Sequence, residues 1–493
     1  MAPPERIPTL LLRLSGELGT KSPRTRRRFL RRLLDNVRLA LGEAQVEGRA
    51  HHTWSRVWVE TEDPEGAERA LACVFGVRGL DRGTQLPFLN QDDLTDQVAD
   101  QVREHVRGRR FAVRARRLTG ATFPAHDLDV SLGAALLEES AGVDLDTPEV
   151  TVQVLIGPEQ AFCSTEHRDG PAGLPLATGG HALALLSGGF DSPVAAWHLL
   201  RRGVELDLVH FDLGAGSSSA ALLVAQTLMR RWAPGFQVTV HVVDFQELVA
   251  GLRERAPGKV RQILLKRAMY RAAGELARRI GADALVTGEA LAQVSTQTLR
   301  SLAVCEEAAG GVPVLRPLIG LDKPDIIGLA RQVGTHDASA QVQELCAIAD
   351  GEKVVTWPTV ERAQAAEALL DGLGGSAWVH GGLDRRQIVA LREWQAPETA
   401  TDLEVETVPR GALLVDVREP FEGDLVGDLR LPGSVALELL ATLDRDREYV
   451  LVCPRGQRSR ALAGELRRRG YRAWSRRGGL LAQTLPQPVE IRP

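Results

Sequence analysis

The chain has 493 residues, 44% of them hydrophobic and 25% charged, with a formal net charge of −4. That length implies about three or four domains, and the composition excludes a disordered or fibrous chain. The sequence shows no secretory leader and no apolar run of membrane-spanning length, so we expect a cytoplasmic protein without a membrane partner.

Taken in chain order, residues 9–14 read as a strand, 23–41 as a helix and 56–60 as a strand, together a small α+β unit. Residues 24–32 (RTRRRFLRR) hold six arginines and no acid, and residues 103–117 hold seven arginines with Glu104 as their one acid. Such clusters suit phosphate contacts, against the alternative of a solvated helix face. A second region starts near Phe75 and carries a helix over 92–106 and the alternating strand 111–117. Alternation sets Phe111, Val113 and Ala115 on one face, and Ala112, Arg114 and Arg116 on the other, so one side buries while the other meets a phosphate backbone.

A Gly/Pro-rich connector over 169–180 precedes a regular rhythm. Strands are expected over 181–186, 204–210, 237–243 and 284–287, and helices over 193–202, 217–232 and 260–280. This alternation implies a parallel sheet covered on both faces, whose ligand binds beyond the carboxyl ends of the strands. A helix near 359–371 and a Gly-rich segment over 372–382 then lead to a third αβ unit over about 402–485.

Two loops carry the chemistry. The first is Ser187-Gly188-Gly189-Phe190-Asp191-Ser192, set between a buried strand and a helix opened by Pro193. Two glycines let the backbone approach an anion, Ser187 and Ser192 add donors, and the helix N-terminus adds partial positive charge. It is not a Walker loop, which needs GxxxxGK[ST]. A second strand-end block, residues 285–298, supplies Gly288 for close backbone approach and Gln297 as a hydrogen-bonding group for a base or ribose. The other loop is Cys453-Pro-Arg-Gly-Gln-Arg-Ser459, after strand-like residues 450–452 and before a helix over 461–469. Successive backbone N–H groups, the helix N-terminus, Arg455 and Arg458 favour a thiolate there. The cysteine count is odd (Cys73, Cys163, Cys305, Cys346, Cys453) and no CxxC pair exists, so disulfide frameworks and metal centres are poorly supported.

These stretches resemble known families. FAVRARRLTG followed by FPAHDLDVSLGAALLE looks like a THUMP RNA-binding domain, and SGGFDS resembles the PP-loop of ATP pyrophosphatases. Cys453 with Asp416, Arg418, Leu431-Pro-Gly433 and Gly478-Gly479 resembles a rhodanese domain. The order of parts is similar to tRNA 4-thiouridine synthetases with a rhodanese extension. The resemblance implies an α/β multidomain chain: an N-terminal ferredoxin-like domain (1–60), THUMP (61–166), a doubly wound PP-loop adenylation domain (178–345), a helical, Gly-rich connector (346–401) and a rhodanese-like domain (402–485). It implies ATP with Mg²⁺ as the cofactor, with no protein metal centre. ATP contacts fall on Leu185, Leu186, Ser187, Gly188, Gly189, Ser192, Lys266, Gly288 and Gln297, with His210 and Phe211 as weaker candidates. Asp191 is needed for activity, Cys453 carries persulfide sulfur, and Cys346 forms a disulfide with it during turnover, although the segment around Cys346 matches the family more loosely. The implied partners are tRNA, read at uridine 8, and a pyridoxal-phosphate cysteine desulfurase. A thiamine-pathway sulfur carrier protein and a homodimer are left open. Two rival readings stand beside this one: a sulfur relay acting on the carrier protein alone, and a non-catalytic RNA-binding protein.

Overall fold

The computed structural model describes residues 6–53, 56–214, 217–294, 296–340, 358–371, 375–395, 403–419, 423–432, 443–454 and 456–480. The chain divides into two compact units: residues 1–180 with 199–205 and 230–236, and residues 181–198, 206–229 and 237–493. Among the described residues no helix is long and apolar enough to cross a membrane.

The first unit runs β1 (Ile7–Leu14), the short α1 (Gly16–Gly19), α2 (Pro23–Glu43), β2 (Arg49–Thr53), β3 (Arg56–Glu60) and α3 (Pro64–Leu71). It continues with β4 (Val77–Pro87), α4 (Gln91–Val106), β5 (Phe111–Arg117), α5 (Ala125–Leu137), β6 (Val150–Ile156) and β7 (Gln160–Asp169). Local chemistry sets the helix starts. Ser22, Asp63 and Asn90 each accept a hydrogen bond from a backbone N–H three residues on, and Pro23 and Pro64 open their helices. The strands form one seven-stranded sheet in the order β2-β3-β1-β4-β7-β6-β5.

The expected boundary at residue 60 therefore does not divide two sheets. β4 pairs antiparallel with β1 on one side and with β7 on the other. Leu80, early in β4, packs into a core with Leu10, Leu33 and Val59, whereas Leu86, late in it, packs into another with Val98, Phe111 and Val152. One 11-residue strand thus serves two cores, which a local reading of periodicity cannot detect. Between them the register shifts at Arg82/Gly83, and a Cβ on Gly83 would lie 2.0 Å from the Cys163 carbonyl oxygen. Glycine is what lets β7 approach there.

In the second unit, β8 (His181–Leu185), α6 (Asp191–Arg201), β9 (Glu205–Asp212), α7 (Ser217–Trp232), β10 (Thr239–Asp244), α8 (Gln246–Arg255), α9 (Gly258–Ile280) and β11 (Ala284–Val286) alternate as the sequence predicts. After them come α10 (Leu299–Glu307), β12 (Val314–Leu315), α11 (Lys323–Val333), α12 (His336–Ala340), α13 (Val360–Asp371), α14 (Gly375–Asp384) and β13 (Gln387–Ala390). The six-stranded sheet has the order β12-β11-β8-β9-β10-β13. β9 with β10, β8 with β11, and β11 with β12 pair parallel, while β13 adds antiparallel to β10.

The expected connector over 346–401 is corrected by this arrangement. Residues 341–357 and 372–374 lie outside the described residues, but α13, α14 and β13 belong to the central domain. Buried Arg267 on α9 holds Glu367 on α13 through Nε (2.8 Å) and Nη2 (3.0 Å), and β13 completes the sheet edge. Gly382, in the Gly-rich segment, lets this helix pack closely. A Cβ on Gly382 would sit 2.4 Å from the Asp244 carbonyl oxygen, and the Trp378 ring occupies the space a Cβ on Gly251 would need.

The C-terminal part carries β14 (Glu404–Val405), β15 (Leu413–Asp416), β16 (Leu429–Arg430), β17 (Glu448–Val452), α15 (Gln457–Arg468) and β18 (Arg472–Arg476). Its five strands pair parallel in the order β14-β18-β17-β15-β16 around a core of Val415, Leu451, Ala463 and Leu466.

Candidate active site

From β8 the central sheet grows through β9 and β10 on one side and through β11 and β12 on the other. The strand order thus reverses between β8 and β11, where open α/β sheets leave a crevice for ligands. The two predicted blocks leave the sheet at those two strands. After β8 the chain forms Ser187–Phe190 and enters α6 at Asp191. Ser192 Oγ accepts the Ser187 N–H (3.1 Å) and lies 3.2 Å from Ser187 Oγ, which in turn accepts the Gly189 N–H (3.4 Å). Gly188 has φ +82°, a region glycine enters without strain. The start of α6 and both hydroxyls therefore lie together at the loop, a set of groups that suits an anion.

Gly288, two residues beyond β11, abuts this loop. A Cβ there would fall 2.6 Å from the Ser192 nitrogen and 2.7 Å from the Asp191 carbonyl carbon. Asp191 faces two groups not singled out from sequence: Lys323 Nζ at 2.7 Å from Oδ1 and Gln293 Nε2 at 3.0 Å from Oδ2. Gln293 keeps its amide oxygen buried without a partner among the described residues. The Ser339 hydroxyl donates to the Gly189 carbonyl (3.2 Å), tying α12 to the loop.

Other candidates take different places. Lys266 on α9 donates to Glu289 Oε1 (3.1 Å), the residue after Gly288. Gln297 is buried, and its side-chain oxygen accepts the Val294 N–H (3.3 Å), so it shapes the 292–297 turn. His210 lies buried behind the loop with Nδ1 2.9 Å from the Leu186 carbonyl, and burial pushes its ring below the ordinary imidazole value, toward the neutral form. Phe211 is buried against Phe245, with ring centroids 4.7 Å apart. Leu185 is half-buried and Leu186 buried at the loop's root. Sequence reasoning missed Lys323 because it sits far along the chain, although Lys-Pro at a helix start marks its place. Gln293 lay inside the quoted block but had no distinguishing pattern.

In the first unit Arg114 and Arg116 are exposed on β5, an edge strand, and Arg114 donates to the Leu145 carbonyl. Burial, with smaller contributions from the charges of Arg116 and Arg13, pushes the Arg56 guanidinium below its ordinary value. Ala112, expected on the arginine face, is fully buried.

Cys453 follows β17 and is 2% exposed. The Ser459 hydroxyl, itself buried, lies 3.4 Å from its Sγ, and Leu480 N–H donates to its carbonyl (2.9 Å). Gly456 has φ +79°, and a Cβ there would meet Gly478 N and Gly479 N at 3.1 Å, so the glycine pair noted in the sequence closes the loop from behind. Beneath it, Asp416 accepts from Arg418 Nε (2.9 Å), Arg430 Nη2 (3.3 Å) and the Val426 N–H (3.1 Å). Burial alone would raise the Asp416 carboxyl, but Arg418 and the backbone donors outweigh it and bring it down to about 2. Arg455 and Cys346 lie outside the described residues. Burial pushes the Cys163 and Cys305 thiols up to about 12, which keeps both protonated and unreactive at neutral pH.

Fold and site define an α/β protein with a glycine- and serine-lined loop at a sheet switch point. Three family models match the chain: the ThiI ferredoxin-like domain over residues 9–80, the THUMP domain over 88–166, and a model described as Thiamine biosynthesis protein (ThiI) over 177–371. A tRNA sulfurtransferase of Desulfurococcus amylolyticus is 37% identical over 484 residues, covering 96% of this chain and 98% of that protein. A tRNA sulfurtransferase of Pyrobaculum aerophilum is 34% identical, covering 94% of this chain and 95% of its own length. The crystal structure of a 4-thiouridine synthetase–RNA complex with bound ATP superposes with a TM-score of 0.69 at 26% identity, over 78% of this chain and 99% of that one. The chain belongs to the tRNA sulfurtransferase family of enzymes.

Proposed function

We propose that this protein adenylates O4 of uridine 8 in tRNA with ATP and replaces that oxygen with sulfur carried on Cys453. The observation that carries the reading is the meeting of the Ser187–Ser192 loop with the Gly288 backbone at the switch point, where Lys323 and Gln293 hold Asp191. The loop suits the phosphates of ATP: two hydroxyls, a positive-φ glycine and a helix N-terminus. Asp191 is the carboxylate that would hold magnesium beside the phosphates, where the ion would neutralise charge on the departing pyrophosphate.

Uracil O4 attacks the α-phosphorus, the bond to pyrophosphate breaks, and the ring now bears AMP as a leaving group at C4. Loop N–H groups and the serine hydroxyls orient the phosphates, and Lys266 and Lys323 supply countercharge. The outer sulfur of a Cys453 persulfide attacks C4 and AMP departs. Cys346 then attacks Cys453 Sγ, which leaves the sulfur on the base and forms a Cys346–Cys453 disulfide. An external reductant resets that bond with two electrons. Release of free hydrosulfide by Cys346 is the variant route.

We read the C-terminal parallel sheet as rhodanese-like, with a pyridoxal-phosphate cysteine desulfurase as sulfur donor, and the crowded arginines of the first unit as the tRNA contact. A second reading, sulfur transfer to a carrier protein for thiazole synthesis, is favoured by the description of the match over residues 177–371. Asp191→Ala should lose ATP-dependent pyrophosphate release while its tRNA binding isotherm stays close to that of the unaltered protein. A variant that releases pyrophosphate at the normal rate overturns the ATP assignment.

A further inference from the structure

Next to Gly288 sits a buried polar cluster of which the proposed reaction uses Lys266 alone. Glu289 follows Gly288 directly and is 8% exposed. Its carboxylate accepts from Lys266 Nζ (3.1 Å), Arg316 Nε (3.1 Å), the Thr287 hydroxyl (3.3 Å) and the Tyr270 hydroxyl. Arg316 also reaches Glu306 Oε2 at 2.6 Å and lies 6.0 Å from the centroid of the Tyr270 ring. Burial works against the Glu289 charge, but Lys266, Tyr270 and Arg316 outweigh it and hold the carboxyl below its ordinary value. One carboxylate thus has two cations and two hydroxyls around it, and one of the cations, Arg316, is shared with Glu306.

We propose that Glu289 is a positioning residue that stations Lys266 beside the phosphate-binding loop and yields it to the ATP phosphates on binding. The argument is one of charge balance. A buried carboxylate left unpaired is costly, so a lysine that is its sole partner stays bound to it. Here Arg316, Tyr270 and Thr287 keep Glu289 satisfied when Lys266 leaves. The lysine is therefore held in place without being locked. Gly288 couples the two sites mechanically, because its backbone touches Asp191 and Ser192 on one side and continues into Glu289 on the other.

The proposal rests on the ATP reading of Lys266, and a double-mutant cycle separates the two. ATP affinity of the full-length chain is measured by titration calorimetry for Lys266→Met, Glu289→Gln and the double variant, with melting temperatures alongside. Each single substitution should weaken ATP about tenfold, and Glu289→Gln should add less than about twofold once Lys266 is methionine. Arg316→Gln ties Lys266 to Glu289, so it should weaken ATP in the presence of Lys266 and lose that effect in the Lys266→Met background. This second cycle keeps the question open to test if Glu289→Gln fails to fold. If Lys266→Met leaves ATP affinity unchanged, the ATP reading of Lys266 falls and the proposal with it. If Lys266→Met weakens ATP but the Glu289 or Arg316 effects add fully to it, the positioning role alone is refuted.

Discussion

Replacing Gly288 with alanine puts a methyl group where the backbone of the Ser187–Ser192 loop already lies. The new Cβ would stand 2.6 Å from Ser192 N, 2.7 Å from Asp191 C and 2.8 Å from Ser192 Cα, against 3.4 Å for ordinary contact. All three neighbours are main-chain atoms at the start of α6, so no side chain can swing away. The loop or β11 must retreat by about 0.6–0.8 Å. Overpacking of this kind costs about 1–3 kcal/mol of stability, which a folded unit of this size tolerates. The functional cost is comparable, because a displacement approaching 1 Å at a positioned reacting group lowers the rate by about 100-fold, or about 2.7 kcal/mol. We expect Gly288→Ala to remain folded, with a modest fall in melting temperature, and to lose about two orders of magnitude in ATP-dependent pyrophosphate release. Release within about twofold of the unaltered chain would show that the crevice between β8 and β11 does not hold the phosphates.

Three further outcomes follow from other parts of the molecule. Arg116→Ala should lower the slope of log affinity for tRNA against log salt by about one, and Arg114→Ala by less, because Arg114 already donates to the Leu145 carbonyl; unchanged slopes mean a solvated face. Cys453→Ser should keep pyrophosphate release and lose thiolation when sulfur comes from desulfurase and cysteine, and thiolation at the normal rate refutes the sulfur route. The Asp416 carboxyl is held down at about 2 in the folded state, so its contribution is fully present above about pH 4 and disappears as pH falls through about 2. Asp416→Asn should therefore cost about 2 kcal/mol near neutrality and flatten the acid limb of C-terminal unfolding, and an unchanged acid limb contradicts the depressed carboxyl.

Much of the local structure was legible from residue pattern. The strand over Phe111–Arg117, the helix over Ser217–Trp232 and the β/α rhythm of the central domain follow from periodicity of two and 3.6, which each segment carries in itself. The Ser187–Ser192 loop was equally legible as a loop between a strand and a helix, because two glycines, two serines and an aspartate form one continuous motif. What tertiary structure alone decided are the relations among distant segments. β4 is not singled out as a strand from the sequence, and only its pairing with both β1 and β7 shows that one sheet runs through the two cores. The Gly-rich segment reads as a connector between domains until Gly382 is seen against the Asp244 carbonyl, where its small size serves packing. Lys323 lies 132 residues from Asp191 and Arg316 lies 27 from Glu289, so the partners that set the charge of the site are invisible to a motif. Sequence pattern determines which backbone a segment prefers. The company that a buried charge keeps is determined by the fold, because only burial makes the absence of a partner costly.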